Sequence, residues 1–382
     1  MANSNLGAAR LAKKDEFYTQ WADIQREMNA YLEYDPDVFR DKTVLLPCDD
    51  PEWSNFTKYF ALHFMDFGLK KLISTSYAPE SNDGGAFYEP TLFETESPIY
   101  DADKSKTNGR VFTLVPEDFS GDGKIDLDDL QWEYLEGDGD FRSKEVTALR
   151  DKADIVVTNP PFSLLRDFIT WLYDGEVKFS LLANMNAITY KEVFPLISGN
   201  RLWLGSTHFN KGMYFGVPEE FEYASSYKFE REIEGVRVAR VAGICWFGNI
   251  DHGRRHEPLQ LITMEENLKF NKKVKDIGYP AYDNYDAIEV GWVDTIPSDC
   301  DGVMGVPITF LDKYNPDQFE ILGNGQSTRD ELGIEPVGQE FVDLYYAQGN
   351  KGQISATWNN LVYRIGEKVF VPYQRILIRA RR

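Results

Sequence analysis

Across residues 15–34, apolar side chains fall at Phe17, Trp21, Ile24, Met28 and Tyr31. Steps of four and three predict one amphipathic helix over that stretch. A short apolar run at residues 43–47 (TVLLP) predicts a buried strand. Asp50 and Pro51 then have the chemistry of a helix N-cap and a first-turn proline. Phe56, Tyr59, Phe60, Phe64 and Phe67 continue as the inner face of that second helix, and residues 71–77 (KLISTSY) predict the next strand. Helix, strand, helix, strand in that order points to an α/β fold with a mainly parallel sheet.

Residues 79–150 break the rhythm with Gly-, Asp- and Ser-rich turns, as an insertion around one or two short strands would. Order resumes at residues 153–158 (ADIVVT), a β-branched strand running into Asn159-Pro160-Pro161-Phe162. A helix with Leu165, Phe168, Ile169 and Leu172 inward follows. Residues 177–183 predict another strand, and 189–197 another helix. Beyond about residue 205 the pattern turns to short strands, turns and isolated aromatics. The expected organisation is a doubly wound α/β domain over 1–205 and a second region over 206–382.

With 42% hydrophobic and 14% aromatic residues, 382 residues supply a sizeable core. No run approaches the roughly 20 apolar residues of a membrane span, so a membrane is not an expected partner. Cys48, Cys245 and Cys300 are far apart, which suits a reducing cytoplasm and excludes a CxxC metal or redox site. The formal charge of −21 is the wrong sign for gripping a polyanion. Its distribution changes the picture. Residues 81–150 hold seventeen acidic against seven basic side chains, whereas residues 364–382 hold six basic against one acidic. A local positive face, rather than a basic average, is what nucleic-acid binding requires.

The strongest chemical signal is Asn159-Pro160-Pro161-Phe162 directly after a buried strand, because ligands of open α/β sheets sit at the carboxyl ends of strands. Two prolines stiffen the turn. The Asn159 amide oxygen and the Pro160 carbonyl are placed to accept both N–H bonds of a planar amine such as that of adenine. Its lone pair would then be drawn out of conjugation, while Phe162 stacks on the ring. Orientation and fixed acceptors supply the rate, with no strong base needed.

This segment resembles the [Asn/Asp/Ser]-Pro-Pro-aromatic motif of amino-methyltransferases. The wider chain resembles the EcoRI-type DNA adenine methyltransferase family through residues 14–20 (KDEFYTQ), 48–56 (CDDPEWSNF), 137–143 (GDGDFRS), 159–166, 184–192 (NMNAITYKE) and 307–323. The resemblance implies a Rossmann-like S-adenosylmethionine-dependent domain over 1–205, with a C-terminal DNA-recognition region over 206–382. It implies methyl transfer to N6 of a flipped-out adenine in double-stranded DNA, with no metal required. Phe17, Tyr18 and Thr19 would meet the methionine end of the cofactor. Cys48, Asp49 and Asp50 would form the turn beside it, without the glycine-rich pattern common there. Asp140 would accept from the cofactor's adenine amine, with Phe141 on its ring. Arg254 and Arg255 would contact guanine or phosphate, and the basic end, Arg379 through Arg382, the DNA backbone. A cognate restriction endonuclease would act on the same site without being a physical partner.

The alternatives are an amino-methyltransferase of RNA adenine or protein glutamine, and a non-catalytic DNA-binding or DNA-mimicking protein, which the charge would suit. Residues 118–129 match a calcium loop at five positions but end in Asp129 rather than Glu, and read as an acidic turn. His252 and His256 lack a metal-site frame and are expected at the surface or beside DNA.

Overall fold

The computed structural model describes residues 18–51, 54–78, 95, 97–207, 209, 211–219 and 221–381. The expected contact at Phe17, the stretch before it and the terminal Arg382 lie outside the described residues. The chain divides into two compact units, one within 1–185 and 204–252, the other within 186–203 and 253–382.

In the first unit the chain runs β1 (Tyr18–Thr19), α1 (Trp21–Tyr34), β2 (Thr43–Leu46), α2 (Asn55–Leu62), β3 (Lys71–Ser76), β4 (Arg110–Leu114), β5 (Gln131–Tyr134) and α3 (Lys144–Arg150). It continues with β6 (Ile155–Thr158), α4 (Leu165–Asp174) and β7 (Lys178–Asn184). After β8 (Trp203–Leu204) come β9 (Met213–Gly216), β10 (Glu232–Ile233), β11 (Val236–Val241) and β12 (Ile244–Gly248). The main sheet has the order β5-β4-β3-β2-β6-β7-β12-β8. Strands β3, β2, β6 and β7 are parallel. The flanking β4, β5 and β12 are antiparallel, so the sheet is mixed.

One face of this sheet carries Val44, Leu46, Leu72, Ile155, Val157 and Leu182, which cluster with Ile24, Met28 and Tyr31 of α1 and Phe56, Tyr59 and Phe60 of α2. The alternate positions Leu45, Ile73, Val156 and Leu181 are at most 3% exposed, so the other face is covered too. This explains the unbroken apolar runs in these strands. The path from β2 leads through α2 to β3 on one side, and that from β6 through α4 to β7 on the other. The crossover therefore reverses between β2 and β6, the place where open α/β sheets open a crevice at their carboxyl ends.

Two expectations shift. The first helix begins at Trp21, not Asp15, because Tyr18 and Thr19 pair with Gly216 and Phe215 of β9. The boundary expected near residue 205 also differs from the compact units. Residues 204–252 return to the first unit, where β12 pairs with β7 from Ile244↔Asn184 to Gly248↔Ser180 and buries Trp246 and Phe247.

The second unit contains α5 (Phe194–Ser198), α6 (Met264–Phe270), β13 (Ile288–Glu289), β14 (Met304–Pro307), β15 (Phe319–Asn324), α7 (Gln339–Ala347), β16 (Tyr363–Ile365), β17 (Lys368–Phe370) and β18 (Arg375–Ala380). Its sheet is ordered β13-β14-β18-β15. In the acidic loop of the first unit, Asp129 accepts from the Phe119 and Ser120 amides at 2.8 Å and Asp118 from the Gly123 amide at 2.8 Å. These carboxylates satisfy their own backbone, as an acidic turn does. Among the described residues, no helix is long and apolar enough to cross a membrane.

Candidate active site

The turn after β2 reverses at Cys48, which has φ +71°, the left-handed conformation usually left to glycine. Cys48 thus does the geometric work of the missing glycine-rich pattern. The reversal tucks Asp49 beneath the turn, with its amide on the Thr75 carbonyl at 2.9 Å. Its own carbonyl accepts from the Thr57 and Ser74 hydroxyls. Its carboxylate accepts from Ser54 Oγ at 2.7 Å and Thr158 Oγ1 at 2.6 Å. Asp49 is 4% exposed. Burial pushes its carboxyl up to about 7, against the opposing pull of the Thr158 and Ser54 hydroxyls. The network also accommodates a neutral acid, because Thr158 Oγ1 lies 2.6 Å from the Pro47 carbonyl and can donate there instead.

Asp50 forms an ion pair with Arg110 at 2.7 Å, both side chains largely buried. Neither carboxylate of this turn therefore stands open as the partner of a cofactor ammonium. Burial, reinforced by the nearby charges of Asp49 and Asp140, pushes the Cys48 thiol well up and keeps it protonated. That removes it as a nucleophile.

The turn at residues 137–143 lies against the end of β3. Gly139 has φ +85°, and a Cβ there would sit 2.3 Å from the Ser76 carbonyl oxygen. The Ala78 amide donates to the Asp138 carbonyl at 2.7 Å, and Glu145 accepts from the Glu136 and Gly137 amides at 2.8 and 2.9 Å. Ser143 caps α3 by accepting from the Val146 amide. Asp140 is held by Arg142 through Nε at 2.9 Å and Nη2 at 2.6 Å, which keeps its carboxyl below the usual range. Phe141 departs from its expected place. It is 2% exposed and packs on Phe168 and Trp171, with centroids 4.8 and 5.5 Å away. Its ring anchors the turn from within instead of offering a face to a ligand.

The Asn159-Pro160-Pro161-Phe162 turn leaves β6 beside the Cys48–Asp50 turn. Thr158 is fully buried, Asn159 half-buried and Pro160 buried. Phe162 opens a short 3-10 turn into α4 and packs partly against the core cluster of this unit. The hydrogen bond from Thr158 to Asp49 therefore joins the two turns across the β2–β6 crevice. Thr19 approaches through another tie, because its carbonyl accepts from Asn55 Nδ2 at 2.8 Å at the start of α2. Thr19 is 3% exposed, yet its Oγ1 has no hydrogen-bond partner among the described residues.

Thr158, Ser54, Arg110 and Glu145 were not singled out from sequence. Only the Thr158 position, at the end of a strand next to the motif, carried a readable signal. In the second unit, Arg254 pairs with Asp312 at 2.6 Å. Arg255 is 7% exposed, lies 3.7 Å above the Trp203 ring and donates to Asn200 at 2.6 Å. Both guanidiniums are engaged inside that unit. Arg379, on β18, is exposed. His252, expected at the surface or beside DNA, is 2% exposed with Nε2 3.0 Å from the Leu204 carbonyl.

A family profile described as adenine-specific methyltransferase EcoRI matches residues 5–381. The Type II methyltransferase M.EcoRI of Escherichia coli is 42% identical over 323 residues, covering 84% of this chain and 89% of that protein. The Type II methyltransferase M.MpnI of Mycoplasma pneumoniae is 35% identical over 329 residues, 85% and 88% of the respective lengths. A third relative, M.MgeORF184P of Mycoplasma genitalium, is 34% identical over 330 residues. No solved structure matches the chain.

Proposed function

The chain belongs to the EcoRI family of adenine-specific methyltransferases, and from that premise we propose that it methylates N6 of adenine at a specific site in duplex DNA, with S-adenosylmethionine as donor. The observation that carries this reading is the Thr158–Asp49 hydrogen bond. It fixes an amine-binding turn against a ligand-binding turn where the sheet's crossover reverses.

The residues present fit the donor. Thr19 has a buried hydroxyl without a partner among the described residues, an arrangement that costs stability until a ligand group meets it. It stands at the start of α2, tied to Asn55 through its own carbonyl, and would contact the carboxylate of a methionine moiety. Tyr18 precedes it on β1. The turn from Cys48 to Asp50 would flank the donor, and Asp140 would offer carboxylate edges at the rim, fixed by Arg142 and by the buried Phe141 ring. When bound, the donor supplies a methyl group on a sulfonium, a leaving group that needs no acid. The first unit is then a doubly wound, Rossmann-like donor-binding domain.

The protein's own work is orientation. Asn159 Oδ1 and the Pro160 carbonyl accept the two amine hydrogens, drawing the nitrogen out of conjugation. Phe162 holds the ring, and the rigid Pro-Pro backbone keeps the acceptors in place, so that little reorganisation is needed during transfer. An amine inside a stacked duplex is out of reach, so the adenine is flipped into the crevice. The second unit reads the target, with Arg379 on the DNA backbone. The working compartment is the cytoplasm.

The test is methyl transfer from radiolabelled S-adenosylmethionine to unmodified duplex DNA, beside RNA and protein acceptors and an Asn159→Ala variant. Label in N6-methyladenine that vanishes in the variant supports the reading. Donor binding with label on RNA or protein alone overturns it.

A further inference from the structure

In the second unit, a cleft of about 570 Å³ opens where β15 ends and β18 begins. Its walls include Gln326, Arg329, Trp358, Asn360, Tyr373 and Gln374. The polar groups are held from behind. Asn324 is fully buried, and its Oδ1 accepts from the Gln326 amide at 2.8 Å, which shapes the turn carrying Gln326. The Asn360 carbonyl accepts from Asn284 Nδ2 at 2.7 Å. The Gly325 amide donates to the Arg375 carbonyl at 2.9 Å, closing the two strand ends on each other. Arg375 itself is committed to Glu289 through Nη2 at 2.6 Å, so it acts as a strut of the wall.

Two atoms in these walls are chemically incomplete. Asn360 Oδ1 and Gln374 Oε1 are buried and lack hydrogen-bond partners among the described residues. Gln374 spends its Nε2 on Gln326 Oε1, which fixes the amide and leaves its own oxygen as the open valence. Both atoms are acceptors, so the missing ligand must bring N–H or O–H donors. Trp358 and Tyr373 beside them are 40% and 67% exposed, large flat surfaces for a planar ligand. Arg329, whose side chain is 39% exposed and lies 3.9 Å from the exposed Asp330 carboxylate, adds a guanidinium at the same opening.

A planar group bearing an exocyclic amine, attached to an anionic backbone, meets all three requirements. Phosphate alone is a poor match, since it presents acceptors to acceptors. In the DNA major groove the amino donors are adenine N6 and cytosine N4, and Asn and Gln side chains suit adenine, whose N7 also accepts from an amide N–H. We infer that this cleft is a base-reading site, in which Asn360 Oδ1 and Gln374 Oε1 share the one N6–H that base pairing leaves free on an adenine in the recognition sequence other than the one methylated. Arg329 meets the flanking phosphate, and Trp358 and Tyr373 pack on the base edge. The assignment rests on the reading of the protein as a DNA methyltransferase and goes beyond it by naming the specificity residues.

The test compares the full-length protein with Asn360→Ala and Gln374→Ala on duplexes carrying the recognition sequence. In a matched set, each non-target adenine is replaced in turn by purine, which lacks the amino group. The wild type is expected to lose roughly 10- to 100-fold in kcat/KM at one substituted position. Each variant should lose a similar factor on the unmodified duplex and little more on the substituted one, the signature of a shared contact. S-adenosylmethionine binding, which depends on the first unit, should be unchanged, and wild-type circular dichroism and thermal unfolding report that the second unit is folded. Gln374→Glu gives a second probe, because it keeps an acceptor and is expected to retain more activity than Gln374→Ala. Wild-type kcat/KM and unchanged base discrimination in both alanine variants overturn this inference while leaving the DNA reading intact. A wild-type protein that methylates no duplex overturns the parent reading, and this one with it.

Discussion

Replacing Asp49 by Asn tests whether the joint between the two turns is built for a neutral acid. Raising a carboxyl from its ordinary 3.8 to about 7 corresponds to roughly 4 kcal/mol of preference for the neutral form in the folded protein. The folded value lies above the unfolded one. Stability from this group is therefore present in full below about pH 4, is lost as pH rises to about 7, and stays lost above. Asparagine does not ionise and escapes that loss. Its amide gives up one acceptor, but the Thr158 hydroxyl can accept from the new Nδ2 and donate to the Pro47 carbonyl 2.6 Å away. That rearrangement should cost about 1–2 kcal/mol. Asp49→Asn is thus expected to be more stable than wild type at pH 8 by about 1–3 kcal/mol. Between pH 5 and pH 8 its relative stability should improve by roughly 2–3 kcal/mol. Urea unfolding followed by circular dichroism at the two pH values measures both quantities. A variant destabilised by the same amount at pH 5 and pH 8 would refute the reasoning, since the buried carboxyl would then titrate as in the unfolded chain.

Three further outcomes are expected. Asn159→Ala should lower kcat by roughly 10²–10³-fold, as loss of one preorganised hydrogen-bonding group does, while equilibrium donor binding changes by no more than a few-fold. Thr19→Val should raise the thermal midpoint of the ligand-free protein, because it deletes a buried hydroxyl with no partner, and weaken S-adenosylmethionine binding about tenfold; calorimetric titration beside a thermal scan shows both. Gly139→Ala should destabilise the first unit by more than about 2 kcal/mol in denaturant melts, since φ is +85° and the Ser76 carbonyl occupies the space of a Cβ.

The parallel core of the sheet was legible because strands buried on both faces leave unbroken apolar runs, as at residues 43–47 and 153–158. The Asn159–Phe162 turn was legible because two prolines after such a run leave few conformations. Other features depended on partners distant in sequence. Phe17 continues the apolar period of α1 across Tyr18 and Thr19, and only the remote β9 draws these two into a strand. Residues 244–248 (ICWFG) become a sheet strand through β7, sixty residues away, so a local pattern could not recruit them to the first unit. Charge type did not reveal which groups are already engaged: Asp50, expected beside the cofactor, pairs with Arg110, while Arg254 and Arg255, expected on DNA, are held by Asp312 and by the Trp203 ring and Asn200. Phe141 follows an acidic turn that invites a ligand-facing reading, while the aromatic cluster on α4 decides its direction.

The discontinuity of the two units constrains how the chain is made and how it evolves. The strand that pairs with β7 comes from residues 244–248, after the chain has already supplied residues 186–203 to the other unit. A ribosome must therefore synthesise nearly two-thirds of the protein before the first sheet has all its strands, and β7 waits with one edge unpaired. For the same reason, a single crossover near residue 205 cannot exchange one unit for that of a relative, because it would separate β12 from β7. On the proposed role of the second unit, new target preferences in this lineage would arise by substitution within it, or by recombination at three joints together, near 185, near 204 and near 252.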